Sequence, residues 1–76
     1  MRKEESTLTI NKNGDKFWRN KEGKLHRIDG PAVEYGNGAK HWYQNGVLHR
    51  TKEAFFEALT DEEKYIALFS EDFLNA

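Results

Sequence analysis

Lys40-His41-Trp42-Tyr43-Gln44-Asn45-Gly46-Val47-Leu48-His49-Arg50 is the stretch whose reading decides the fold. Two short runs with strand-forming residues flank an Asn-Gly dipeptide. Asn and Gly tolerate the two positive φ angles of a type I′ turn, whose twist matches that of the strands it joins. The stretch therefore reads as a tight β-hairpin.

Upstream, the same unit occurs again. Asn13-Gly14-x-Lys16-x-Trp18 aligns with Asn37-Gly38-x-Lys40-x-Trp42 at an offset of 24 residues. Gly23-x-Leu25-His26-Arg27 aligns with Gly46-x-Leu48-His49-Arg50 at an offset of 23. The first copy thus carries one extra residue between Trp and Gly. A longer loop or a bulge absorbs such an insertion without flipping the strand. Trp18 and Trp42 supply most of the apolar area in each hairpin, and Leu25 and Leu48 are expected to lie across from them. Lys16 and Lys40 share a face with their Trp and can lay alkyl stems on it.

Thr7-Leu8-Thr9-Ile10 alternates polar and apolar residues, as a half-buried strand does. Ala32-Val33-Glu34-Tyr35 follows the Asp29-Gly30-Pro31 turn. Pro31 lacks a ladder donor, so it belongs to the turn or to a strand start. With Asp15–Arg19, Lys24–Arg27, Ala39–Tyr43 and Val47–Arg50, six short strands form an antiparallel meander over residues 7–50.

The pattern changes at Thr51, after which there is no Gly and no Pro. Phe55, Phe56 and Leu59 fall at helical spacing. Thr60-Asp61-Glu62-Glu63 is a capping-box signature, in which Thr60 and Glu63 satisfy each other's backbone donors. Tyr65, Phe69 and Phe73 recur every four residues, and Ser70-Glu71-Asp72 either ends or kinks that second helix. Short isolated meanders are marginal in water. The expected fold is α+β: a meander capped on one face by one or two C-terminal helices over 51–75, all within a single domain spanning 1–76.

Size supports this economy. A chain of 76 residues allows one domain and buries only about 60% of its unfolded surface. There is no cysteine, so disulfides, thiolate metal sites and thiol catalysis are excluded. The core must come from large rings: Phe17, Trp18, Tyr35, Trp42, Tyr43, Phe55, Phe56, Tyr65, Phe69 and Phe73. The N-terminus Met1-Arg2-Lys3-Glu4-Glu5-Ser6 lacks the apolar core of a signal peptide, and no apolar run approaches the ~20 residues that span a bilayer. These features point to a cytoplasmic location. Net charge is −1, split into +5 over residues 1–52 and −6 over 53–76. Such polarity marks either a basic face with an acidic partner-facing cap or internal complementarity.

At this point the chain resembles a family. Trp42 to Arg50, together with Leu25-His26-Arg27-Ile28-Asp29-Gly30-Pro31-Ala32-Val33-Glu34-Tyr35, resembles the W-Y-x-N-G-x-L-H-R-x-D-G-P-A hairpin repeats of many bacteriophage and bacterial proteins, themselves loosely similar to MORN repeats. Thr51-Lys52-Glu53-x-Phe55 resembles the ending that follows such repeats. The likeness covers about residues 13–50 and implies stacked hairpins, a phage or mobile-element origin and no particular activity. Repeat stacks normally need about three copies. This chain has barely two, which again assigns the helices the role of a cap.

Candidate sites are few. His26, His41 and His49 are the available nitrogen ligands, and repeat equivalence keeps His26 and His49 a hairpin apart, so no metal is expected. Arg27 and Arg50 have forks suited to phosphate or carboxylate, or to pairing with Asp29 or Glu34. There is no catalytic triad spacing, phosphate loop or metal motif, so no cofactor and no enzymatic activity are expected. The favoured reading is a small protein that binds and modulates a host bacterial protein. Its contacts would come from the sheet face left open by the helices, through Phe17, Arg19, His41 or Tyr43, with Arg27 and Arg50 as possible anion contacts, or from the acidic helices, through Asp61, Glu62, Glu63, Glu71 and Asp72. Phe17 against His41 and Arg19 against Tyr43 are the positions that differ where the framework repeats. A single-stranded nucleic-acid module using Lys12, Lys16, Arg19, Lys21, Lys24, Arg27 and Lys40 is one alternative. A scaffold that self-associates through edge strands is another.

Overall fold

Backbone pairing follows the turns. In the computed structural model, which describes residues 6–76, five strands precede three helices: β1 (Thr7–Ile10), β2 (Lys16–Arg19), β3 (Val33–Glu34), β4 (Lys40–Gln44), β5 (Val47–His49), α1 (Lys52–Glu57), α2 (Asp61–Leu68) and α3 (Glu71–Asn75). The reading of Met1–Glu5 lies outside the described residues. The strands form one antiparallel meander in the order β1-β2-β3-β4-β5. The α+β architecture is as expected, with five strands rather than six and three helices rather than one or two.

Lys24–Arg27, the expected sixth strand, makes a single bridge from Leu25 to Arg19. The segment still spans the gap that the two-residue β3 leaves. The His26 amide donates to the Trp18 carbonyl at 3.0 Å, the Arg27 amide to the Tyr43 carbonyl at 3.4 Å, and the Gly46 amide to the Leu25 carbonyl at 2.8 Å. It cannot keep a regular ladder because His26, Arg27 and Ile28 are all buried. A strand sends successive side chains to opposite faces, and only one face here lies under helices.

The β4–β5 turn is as anticipated, with Asn45 at φ 51° and Gly46 at 85°. Its register is a correction. Trp42 faces His49, and Leu48 faces Tyr43 on the other side of the sheet, where it is exposed. In the first copy the extra residue is absorbed by the Asn20–Lys24 loop, closed by an amide–carbonyl bond of 2.9 Å from Asn20 to Lys24. The Arg19–Leu25 bridge thus preserves the relation of Tyr43 to Leu48. Asn20 Nδ2 donates to Asn45 Oδ1 at 3.0 Å and ties the two turns together.

The helices cover the Trp42 face. Ile28 and Trp42 join Phe55, Leu59, Ala67 and Phe73 in one buried cluster. Trp42 lies 4.8 Å from Phe55 and 5.8 Å from Phe73, centroid to centroid. Three of the ten rings expected in the core are thus buried; Tyr65 and Phe69 are instead 68% and 84% exposed, and Tyr35 is also exposed.

Each helix start is capped. Thr51 accepts from the Ala54 amide, and Thr60 and Glu63 form the predicted capping box. Ser70 resolves the question of the second helix. Its hydroxyl donates to the Asp29 carbonyl at 3.0 Å and accepts from the Phe73 amide at 3.4 Å, so α2 ends and α3 begins there. Among the described residues no helix is long and apolar enough to cross a membrane.

Candidate functional site

Alternation along β2 and β4 sends Phe17, Arg19, His41 and Tyr43 to the face opposite Trp18 and Trp42. The register sharpens this. Phe17, Val33 and His41 stand directly across from one another on three adjacent strands. Val33 is buried and forms a floor. Tyr35 stands between the other two rings, 6.2 Å from Phe17 and 5.5 Å from His41, and nearly perpendicular to both. The Arg19 guanidinium sits 5.4 Å from the Phe17 ring centroid. Among the described residues, the nearest carboxylates are kept off this face. Glu34 lies on the other side, between Lys16 and Lys40. Asp15 is held at the sheet end, accepting from the Gly36 amide at 2.7 Å and from Asn11 Nδ2 at 3.2 Å.

The open face runs into a groove of about 410 Å³ at the β4–β5 edge, lined by Lys40, His41, Trp42, Leu48, His49 and Arg50. Neither Lys40 nor Arg50 forms an ion pair among the described residues. The nearest carboxylate by register is Glu34, across from Lys40, and it turns to the Arg27 Nη1 at 3.7 Å. Of the sequence-predicted residues, the fold therefore gathers Phe17, Arg19, His41 and Tyr43 on one face, and His41 meets Arg50 in the edge groove.

Arg27 is placed elsewhere. It is 4% exposed and lies on the helix side of the sheet. Its guanidinium is 3.9 Å from the Trp18 ring centroid. It donates to Asp29 at 2.9 Å, to the Pro31 carbonyl at 3.1 Å and to Asp72 at 2.6 Å. Its hydrogen-bonding edges are occupied by the protein itself, so Arg27 is drawn into the fold, and Asp72, though exposed, is paired with it. Glu63 is likewise engaged in the capping box.

The remaining acids frame a second surface. On α2, Ala67 faces the core, while Tyr65, Leu68 and Phe69 share the outer side and are all exposed. Asp61 and Glu62 lie one turn earlier on that side, exposed, and Glu71 opens α3. Beside this side a groove of about 260 Å³ is floored by Phe56 and Phe73, bounded by Leu68 and rimmed by Lys52, Glu53 and Glu57. Sequence reasoning took Tyr65 and Phe69 as core and missed Leu68, Tyr35, Leu48 and His49 as surface contributors. The signal that was available is the double-sided apolar content of α2, which one core-facing stripe does not need.

No group of three or more His, Cys, Asp or Glu side chains is arranged to hold a metal ion among the described residues. No family model, curated protein or solved structure matches this chain.

Proposed function

We propose that this chain is a small, non-enzymatic, phage-type protein that binds a host bacterial protein and modulates it. The observation that carries this reading is the outer side of α2, where Tyr65, Leu68 and Phe69 stand in solvent on a helix whose other side already fills the core. Apolar surface grouped in this way marks interaction sites, and aromatic rings are the usual energetic anchors of such sites. The carboxylates of Asp61, Glu62 and Glu71 around it, which form no ion pair among the described residues, match a partner with a cationic rim and an apolar pocket. They steer association and reject acidic competitors. The hairpin-repeat resemblance supports a phage or mobile-element setting.

The test is affinity capture from bacterial lysate with matched variants. Tyr65→Ser/Phe69→Ser removes the anchors without touching the core, and Tyr35→Ala alters the opposite side. A host protein retained by the parent and by Tyr35→Ala, and lost with Tyr65→Ser/Phe69→Ser, is the expected result. Equal retention by all three, or no specific protein at all, contradicts it.

A further inference from the structure

We propose that the open sheet face, together with the groove at its β4–β5 edge, binds single-stranded nucleic acid. This goes beyond the protein-binding reading, which rests on the other side of the molecule.

Three observations combine. First, Phe17, Tyr35 and His41 form a continuous run of rings across three strands, raised on the buried Val33. Each ring is turned nearly at right angles to the next, and Tyr35 and His41 are exposed. Bases of an unpaired strand stack on such platforms whatever their identity, since each has a π-face. Bases in a duplex are stacked already and present only their edges.

Second, Arg19 stands beside the rings, and Lys40, which shares the Glu34 face by register, and Arg50 stand at the β4–β5 edge that His41 adjoins. Arg19 reaches over Phe17 at 5.4 Å. Lys40 and Arg50 line the groove that His41 shares with the sheet face. Neither is in an ion pair among the described residues. Arg27, the repeat equivalent of Arg50, shows the contrast: its fork is fully engaged by Asp29, Pro31 and Asp72. Arg50 is the copy that the fold leaves open.

Third, among the described residues the nearby carboxylates are engaged elsewhere. Glu34 shares the opposite face with Lys40 but turns to Arg27 at 3.7 Å, and Asp15 is tied into the turn by Gly36 and Asn11. The acidic helices pack on the Trp42 side. The overall charge of −1 therefore understates the local field, because exposed charges further than a Debye length of about 8 Å are largely screened at physiological salt. An acidic peptide would satisfy Arg19, Lys40 and Arg50 but would leave the ring run unused. A strand with alternating bases and phosphates uses both.

The test is fluorescence anisotropy with a labelled oligothymidylate of roughly ten nucleotides, within the span that a small sheet module occupies. Binding is expected at low salt. With three phosphate contacts, from Arg19, Lys40 and Arg50, log affinity falls against log salt with a slope of roughly −2. Arg50→Gln, outside the strands, reduces that slope by about 0.7. Tyr35→Ala weakens binding roughly five- to hundredfold and leaves the slope in place, because it removes stacking and not charge. Phe69→Ser on α2 changes nothing. Inorganic polyphosphate and polyglutamate serve as competitors. If either displaces the oligonucleotide as well as unlabelled strand does, and Tyr35→Ala has no effect, the surface is a general anion groove and the proposal fails. Absence of any anisotropy change at about 50 mM salt also overturns it. These outcomes are independent of the fate of the α2 variants in host-protein capture.

Discussion

The guanidinium of Arg27 sits over the indole of Trp18, 3.9 Å from the ring centroid, and reaches Asp72 of α3 at 2.6 Å from the same side chain. One residue of the first repeat thus joins the sheet to the last helix. Planarity makes this possible, since an Arg fork can stack and donate at once while a Lys ammonium cannot. Arg27→Lys is therefore expected to cost about 2–3 kcal/mol, in the range of losing charged hydrogen bonds in a buried site. The equivalent change Arg50→Lys, at an exposed position, is expected to stay within about 0.5 kcal/mol. Urea unfolding of the two variants checks the difference.

Gly30 is needed for the same reason. A Cβ there would stand 2.6 Å from the Arg27 Cζ, so the guanidinium is enclosed between the Trp18 ring and the glycine. Gly30→Ala is expected to destabilise by about 1–3 kcal/mol through overpacking. Combined with Arg27→Ala, the two costs should add to less than their sum, because the first change then meets empty space. A double-mutant cycle on thermal or urea unfolding measures that coupling.

The core and the α2 surface should separate cleanly. Phe55 is fully buried among Trp42, His49 and Phe73. Phe55→Ala is expected to cost about 3–5 kcal/mol, enough to unfold a domain of this size. Phe69 is 84% exposed, and Phe69→Ser is expected to change stability by no more than about 0.5 kcal/mol. Circular dichroism melts distinguish the two.

Asn45 carries two duties. It holds φ 51° in the turn and accepts from Asn20 across the repeat at 3.0 Å. Asn45→Gly keeps the turn geometry and loses only the side-chain bond, at about 1 kcal/mol. Asn45→Ala loses both and is expected to cost about 1 kcal/mol more, since a Cβ disfavours the left-handed region. Hydrogen-exchange protection of the Gly46 amide, bonded to Leu25, should fall in the same order.

What was legible follows from local chemistry. Asn13-Gly14, Asn37-Gly38 and Asn45-Gly46 announce turns because their conformational demands are met within a few residues, and their glycines hold positive φ. The capping box of α2 was legible for the same reason. The position of Leu48 was misread, although a two-residue turn at Asn45-Gly46 already dictates that Trp42 meets His49. The loss of the sixth strand was not local. Arg27 turns inward to meet Trp18 and an aspartate 45 residues away, and that pulls its segment out of the ladder. The break at Ser70 likewise depends on the distant carbonyl of Asp29. For the candidate surfaces, alternation put Phe17, Arg19, His41 and Tyr43 on one face. α2, by contrast, offers two apolar sides, Ile66-Ala67 and Tyr65-Leu68-Phe69, and spacing alone does not choose which one the core takes.

The central claim is that the outer side of α2 is a protein-docking surface. Site-specific photo-crosslinking in the bacterial host tests it most directly, with a photoreactive phenylalanine analogue placed in turn at Phe69 and at Phe17. The account predicts one discrete protein adduct from position 69 that is absent from position 17. No adduct at position 69, or the same adducts from both positions, would contradict it.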